Sequence, residues 1–281
     1  MNAPRRVALE AMTPLEQLRA GQTARRLPQL FVGLALYGAA MGMLVRSELG
    51  LDPWDVFHDG VRRLTGLSFG TIVIGVGVLV LVLWIPLRQW PGLGTVANAV
   101  VIGLATDATL SLLDTPDGLV WRWVLLLGGI LVNGFAGALY IGSQYGPGPR
   151  DGLMTGIARR TGGSIRLVRT SLELTVLALG WLLGGVVGLG TVLYAVLIGP
   201  TIQIFLPFVT VDLSASRRRP AHAGAQPADA PLEPVASALE PEGEGQDGLG
   251  TRAAQQPAGD GQAPARVDDV VDEEHGAACR R

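Results

Sequence analysis

Two short segments carry the residue types and spacing that could bind a ligand: Gly50-Leu51-Asp52-Pro53-Trp54-Asp55 and Gly146-Pro147-Gly148-Pro149-Arg150-Asp151. In each, a proline suits the first position of a helix, where its missing N–H costs nothing. The aspartate two residues later can accept from free first-turn N–H groups and favours the positive end of the helix dipole. Asp52 is also a good N-cap. Helices over 53–64 and 149–160 are expected, ending near Thr65-Gly66 and Thr161-Gly162. Each would reach only about 18 Å, too short to cross a bilayer. They are therefore either interfacial struts or re-entrant half-helices, and the stripe Trp54, Phe57, Val61 and Leu64 fits both. In the re-entrant case two helix N-termini face a central site suited to an anionic or polar solute. Arg150 is then the best single candidate for contacting an anion.

Other polar residues lie inside long apolar runs: Asn98, Asp107, Asn133, Glu173 and Gln203. A carboxylate at mid-membrane costs roughly 2.5–3.5 kcal/mol on insertion scales, so such groups default to functional candidates. Asp107 either lines a polar cavity or proton path or bonds a neighbouring helix. Glu173 lies one turn from Arg169, and an anchoring ion pair is its simpler account. Arg150, Asp151, Asp55, Asn98, Asp107, Gln203 and Glu173 form the candidate substrate-binding set. Asp55, His58 and Asp59 share one helical face at a spacing that could hold a metal, but a solvated polar face is the better expectation. No metal or other cofactor is expected. Cys279 is the only cysteine, which excludes an intrachain disulfide and a Cys-based metal site. With no His or Cys in a span and no Ser–base pair, the chain is not expected to be an enzyme. Nor do its scattered arginines suggest nucleic-acid binding.

The elements that must position these residues are membrane spans. Of the 281 residues 48% are hydrophobic and 16% charged, below the share usual in soluble domains. Six segments are long and apolar enough to span: 29–45, 68–87, 93–113, 121–142, 167–187 and 189–210. The expected fold is an all-α polytopic membrane domain over 29–211. Residues 1–28 form a charged segment without the apolar stretch of a cleavable signal. Residues 212–281 form an acidic Ala/Pro/Gly-rich tail, expected to be disordered.

The chain also repeats itself at a fixed offset of 96, from Pro53 to Pro149. Gly33, Gly38, Ser47, Gly50, Asp55, Gly60, Arg63, Thr65 and Gly66 recur, as does Gly92-Leu93-Gly94-Thr95-Val96 in Gly188-Leu189-Gly190-Thr191-Val192. Matches at Pro, Asp, Thr and Gly in one register point to duplication of a three-span unit, 29–113 and 121–210. An odd number of spans makes the second copy inverted. Asp107 aligns with Gln203, which places the two at matching depth. Arginine placement, 12 near the spans on one side against four on the other, puts both termini in the cytoplasm. Gly38-x-x-x-Gly42 and Gly180-x-x-x-Gly184-x-x-x-Gly188 read as small-residue faces for close helix contact.

Gly50-Leu51-Asp52-Pro53-Trp54-Asp55, Gly94-Thr95-Val96-Ala97-Asn98 and Gly148-Pro149-Arg150-Asp151-Gly152-Leu153-Met154 together resemble the bacterial YczE/YyaS/YitT-type membrane proteins, most closely the YczE-like branch. Arg169-Thr170-Ser171-Leu172-Glu173 and Ile198-Gly199-Pro200 with Gln203 complete the likeness, which covers about residues 30–210. The resemblance implies an integral plasma-membrane protein and supplies no substrate. The expected function is a small secondary transporter or permease for a small polar or anionic solute. Its rival is a non-transporting accessory protein that supports a partner complex or an export process. The lipid bilayer is the one partner the sequence establishes. Whether the chain pairs with another protein or with itself is left open by the sequence.

Overall fold

The computed structural model of the chain describes residues 12–213. The expected tail lies outside the described residues except for its first two, Asp212 and Leu213. These are packed: Gln22 donates to the Asp212 carbonyl at 2.8 Å, and Leu213 is buried.

The described residues form nine helices: α1 (Pro14–Arg19), α2 (Thr23–Ser47), α3 (Pro53–Thr65), α4 (Phe69–Leu87), α5 (Leu93–Leu112), α6 (Leu119–Gly142), α7 (Pro149–Thr161), α8 (Ile165–Leu182) and α9 (Leu189–Val209). Local chemistry sets their ends. Asp52, Ser68 and Ser164 cap α3, α4 and α8 by accepting from first-turn N–H groups. Gly66 and Gly162 end α3 and α7 in the left-handed region at φ of 71° and 69°, where a Cβ is unfavourable.

Five helices, α2, α4, α5, α6 and α9, are long and apolar enough to cross a membrane. They expose residues such as Ile85, Leu112, Val196 and Phe208, as a lipid-facing surface requires. The expected span over 167–187 is shorter than its sequence pattern. α8 stops at Leu182 instead of running to 187, because Gly184 takes φ of 88°, and it carries Arg166, Arg169 and Glu173. For the same reason Gly180-x-x-x-Gly184-x-x-x-Gly188 is not one helical face: Gly184 lies in the turn and Gly188 is the N-cap of α9.

Packing pairs the two halves of the chain by exchange. α2 and α6 lie against each other, with α5 on α2 and α9 on α6. A side chain at Gly33 would meet the Ala136 carbonyl oxygen at 3.2 Å, and one at Gly129 would meet that of Ala40 at 3.3 Å. Each residue of the second contact lies 96 positions from its counterpart in the first. The same holds for two backbone bonds: Gly94 N–H donates to Tyr145 at 2.9 Å, and Gly190 N–H to Leu49 at 2.8 Å. The short helices cross over as well, α3 packing on α8 and α7 on α4.

Arg26 fixes one end of this arrangement. It is fully buried, lies 4.2 Å over the Tyr145 ring and donates to the carbonyls of Gln17, Ser143 and Gln144 at 2.8–2.9 Å. Its counterpart Arg122 donates to the Pro116 carbonyl and pairs with Glu48 at 2.9 Å.

The α4–α5 contact of the first half is not reproduced in the second. α4 packs along α5, whereas α8 forms no comparable seam with α9. The residues explain the difference. Gly70 and Gly103 bring the α4 and α5 backbones together, each opposite the other's carbonyl oxygen. Arg166 stands where α8 would need the counterpart of Gly70, and Gly199, the counterpart of Gly103, faces open space.

Candidate functional site

The N-termini of α3 and α7 meet. Arg150, in the first turn of α7, lies 3.8 Å from Asp52 and 3.7 Å from Asp55, and its guanidinium stands 5.1 Å over the Trp54 ring. Proline at the first position of each helix and the crossing of α3 onto α8 and α7 onto α4 bring these ends together. Both ion pairs are longer than a charge-assisted hydrogen bond, so the guanidinium edge is not consumed by its partners.

The meeting point opens into a cavity of about 350 Å³. Ligand sites commonly run from roughly 300 Å³ upward, so the volume suits a small metabolite. Of the residues singled out by sequence, Arg150, Asp151, Asn98, Gln203 and Glu173 line it. Asp55 is fully buried behind the Arg150 ion pair and is not part of the lining, its Oδ1 standing 3.0 Å from His58 Nδ1. Asp151 accepts from Tyr140 at 3.1 Å. Glu173 pairs with Arg169 at 2.9 Å, the expected one-turn contact, and both remain partly exposed at the cavity edge.

Asp107 is elsewhere. It accepts from Ser68 Oγ at 2.5 Å and from Gly70 N–H at 2.7 Å, fastening the first turn of α4 to α5. This is a bond to a neighbouring helix, outside the central cavity. It borders a separate pocket with Arg46, Arg62 and Arg63. Asp107 and Gln203 therefore part company despite their alignment. The α4–α5 seam is closed around the first, and the absent α8–α9 seam leaves the second facing the cavity. Asn133 accepts from the Tyr194 hydroxyl at 3.0 Å.

The face bearing Asp55, His58 and Asp59 is not solvated, as the sequence suggested, but buried, at 0%, 1% and 2% exposure. Asp59 instead holds Arg62 and Arg63 at 2.7 and 2.8 Å. The local stripe misleads because α3 is enclosed on several sides, while Leu64 near its C-terminus is exposed. Among the described residues no group of three His, Cys, Asp or Glu could hold a metal ion.

Sequence reasoning missed the aromatic lining. Tyr37, Tyr140 and Tyr194, three of four tyrosines in the chain, face the cavity with Trp54. Their scarcity and their place inside apolar runs were the available signal. Two buried polar atoms at the site have no hydrogen-bond partner among the described residues: Trp54 Nε1 and Asp55 Oδ2. Buried polar groups are rarely left so, and each costs stability until something pairs it.

Comparison with known proteins agrees with the membrane architecture. The family described as "Family of unknown function (DUF6198)" matches residues 24–207. An "Uncharacterized protein" of Haemophilus influenzae is 44% identical over 180 residues, covering 64% of this chain and 83% of the relative. The "Uncharacterized membrane protein YczE" of Bacillus subtilis is 32% identical over 179 residues, covering 63% and 83%. The "Uncharacterized protein YyaS" of the same organism is 24% identical over 192 residues, covering 67% and 96%. No solved structure matches.

Proposed function

The chain belongs to the DUF6198 family, whose YczE relative is a membrane protein, and we propose that it is a small permease for a polar metabolite. The observation that carries this reading is the convergence of two half-helix N-termini on one cavity. Arg150 of α7 stands against Asp52 and Asp55 of α3 at its floor. Half-helix ends supply oriented partial charge without unsatisfied groups facing lipid, which is how several transporters hold solutes near the midplane.

The two halves are read as inverted copies. What supports this is the reciprocity of Gly94–Tyr145 with Gly190–Leu49 and the 96-residue offset of every helix start from α2 to α9. Arginine placement supports a plasma-membrane orientation with both termini in the cytoplasm. In that orientation the seam closed by Asp107, Ser68 and Gly70 lies outward, and the open side at Gly199 and Gln203 lies toward the cytoplasm. The cavity is then reached from within.

The test is exchange in proteoliposomes. Vesicles carrying the full chain and loaded with a small-metabolite extract should release specific solutes faster than empty vesicles, and Arg150→Gln should abolish the difference. Identical release from both vesicle types would contradict the permease reading and leave a supporting role beside a partner.

A further inference from the structure

The cavity's two helix ends are not equivalent, and the difference indicates what kind of molecule fits. α3 carries its own anionic cap, since Asp52 accepts from Asp55 N–H at 2.8 Å. At the corresponding position α7 has Gly148, and no side chain caps its first turn. The N–H groups of that turn have no partner within the helix. Arg150, beside them, replaces Trp54 of the first half and points its incompletely engaged guanidinium into the same space. One end of the cavity is thus built to receive an oxyanion, which would act as the cap that α7 lacks.

The other end has the opposite demand. Asp52 of α3 lines the cavity and Asp55 lies 3.7 Å from the Arg150 guanidinium, while Asp151, held by the Tyr140 hydroxyl in the first turn of α7, and Glu173, paired with Arg169, add two more carboxylates to the lining. Two helix N-termini contribute roughly half a positive charge each, so carboxylate remains in excess by about one charge. A ligand carrying only an anion would add to that excess. Asp55 Oδ2, in a residue 0% exposed, has no hydrogen-bond partner among the described residues, so the carboxylate pair of which Asp52 lines the cavity is short of donors. Trp54, 6% exposed and also lining the cavity, has an unpaired indole N–H that marks where an acceptor is missing. Unpaired acceptor and unpaired donor lie on adjacent residues, beside rings that suit an organic cation.

We infer that the cavity takes a small amphoteric solute, its oxyanion seated on the open first turn of α7 and on Arg150, its ammonium group on the carboxylates of α3. This deepens the permease reading. It rests on that reading for the solute's passage but not for its binding.

Binding to the purified full-length protein in detergent tests it, with γ-aminobutyrate and β-alanine as amphoteric probes. Butyrate and propionate serve as matched carboxylates, and propylamine and ethylamine as matched amines. The amphoteric probes should raise the unfolding temperature and bind at least about tenfold more tightly than either singly charged set. Trp54→Phe, which removes one N–H and keeps a ring, should weaken the amphoteric probes by about three- to tenfold while leaving the folded protein able to bind the singly charged amines as before. Arg150→Gln should erase discrimination between amphoteric probe and amine, and Asp55→Asn that between amphoteric probe and carboxylate. Equal or tighter binding of a singly charged probe, or no binding by any probe, overturns the inference. Vesicle exchange of a singly charged solute would overturn it while leaving the permease reading intact. Amphoteric binding without any exchange would overturn the permease reading alone.

Discussion

Arg150 stands 3.8 Å from Asp52, so the first turn of α7 and the N-cap of α3 are joined by a charge pair and not by a hydrogen bond. The two residues come from opposite halves of the chain and from helices that each pack mainly on the other half. A pair this loose holds the helix ends near each other while leaving both groups able to engage something else. It also makes the site expensive to disturb, because Asp55, 3.7 Å from the same guanidinium, is fully buried.

Removing Arg150 alone should therefore destabilise the protein by about 3 kcal/mol, since buried carboxylates lose their counter-charge. Arg150→Gln combined with Asp55→Asn should recover part of that loss, with a coupling of about 1–3 kcal/mol. Denaturant unfolding of the two single variants and the double variant measures it, and strict additivity would speak against the pair.

Asp107 and Gln203 should behave differently despite their aligned positions. Asp107→Ala frees the first turn of α4 and leaves Ser68 and Gly70 without their acceptor, so a stability loss of about 1–3 kcal/mol is expected. Gln203→Ala, at an open cavity wall, should change stability by less than about 0.5 kcal/mol while altering solute exchange. Unfolding curves and vesicle exchange on the same preparations separate the two effects.

The glycines give a steric version of the same contrast. A Cβ at Gly70 would lie 2.6 Å from the Asp107 carboxyl carbon and collide with the Gly103 carbonyl. Gly70→Ala should thus cost about 1–3 kcal/mol through forced displacement of α4 from α5. At Gly199 there is nothing within 4 Å. Gly199→Phe should fold with an unchanged unfolding temperature and block exchange by filling the cavity mouth.

Arg26→Met should be among the most damaging substitutions in the chain. Three backbone carbonyls from the α1 end and the α6 C-terminal turn lose a buried donor together, and about 3–5 kcal/mol is expected. Loss of the folded species in size-exclusion chromatography is the simplest readout. Arg122→Met, at the partly exposed counterpart, should cost far less.

Much of the architecture was legible because its markers are chemically unusual in apolar sequence. Pro53, Pro149 and the Thr-Gly pairs that follow bounded the short helices to within one residue. The 96-residue register exposed which segments correspond. What the sequence did not reveal is non-local. Nothing near Pro53 says that α3 will pack on α8, so the enclosure of Asp55, His58 and Asp59 was invisible from their own spacing. Arg26 read as one more cytoplasmic charge, since only the fold brings the carbonyls of Ser143 and Gln144 to it. Tyr37 and Tyr140 have Asn133 and Leu44 as counterparts, so the repeat gave no reason to single them out. The divergence of Asp107 from Gln203 was written in Gly70 and Arg166, but reading it requires knowing that those residues form a helix contact.

Thiol accessibility at position 199 tests most directly whether the helix ends converge on a solute-accessible cavity open to one face. In a Cys279→Ser background, Gly199→Cys should react with a membrane-impermeant maleimide in inside-out vesicles and remain unreactive in right-side-out vesicles, and saturating amphoteric solute should slow the reaction. No reaction from either face, or equal reaction from both, would contradict the account.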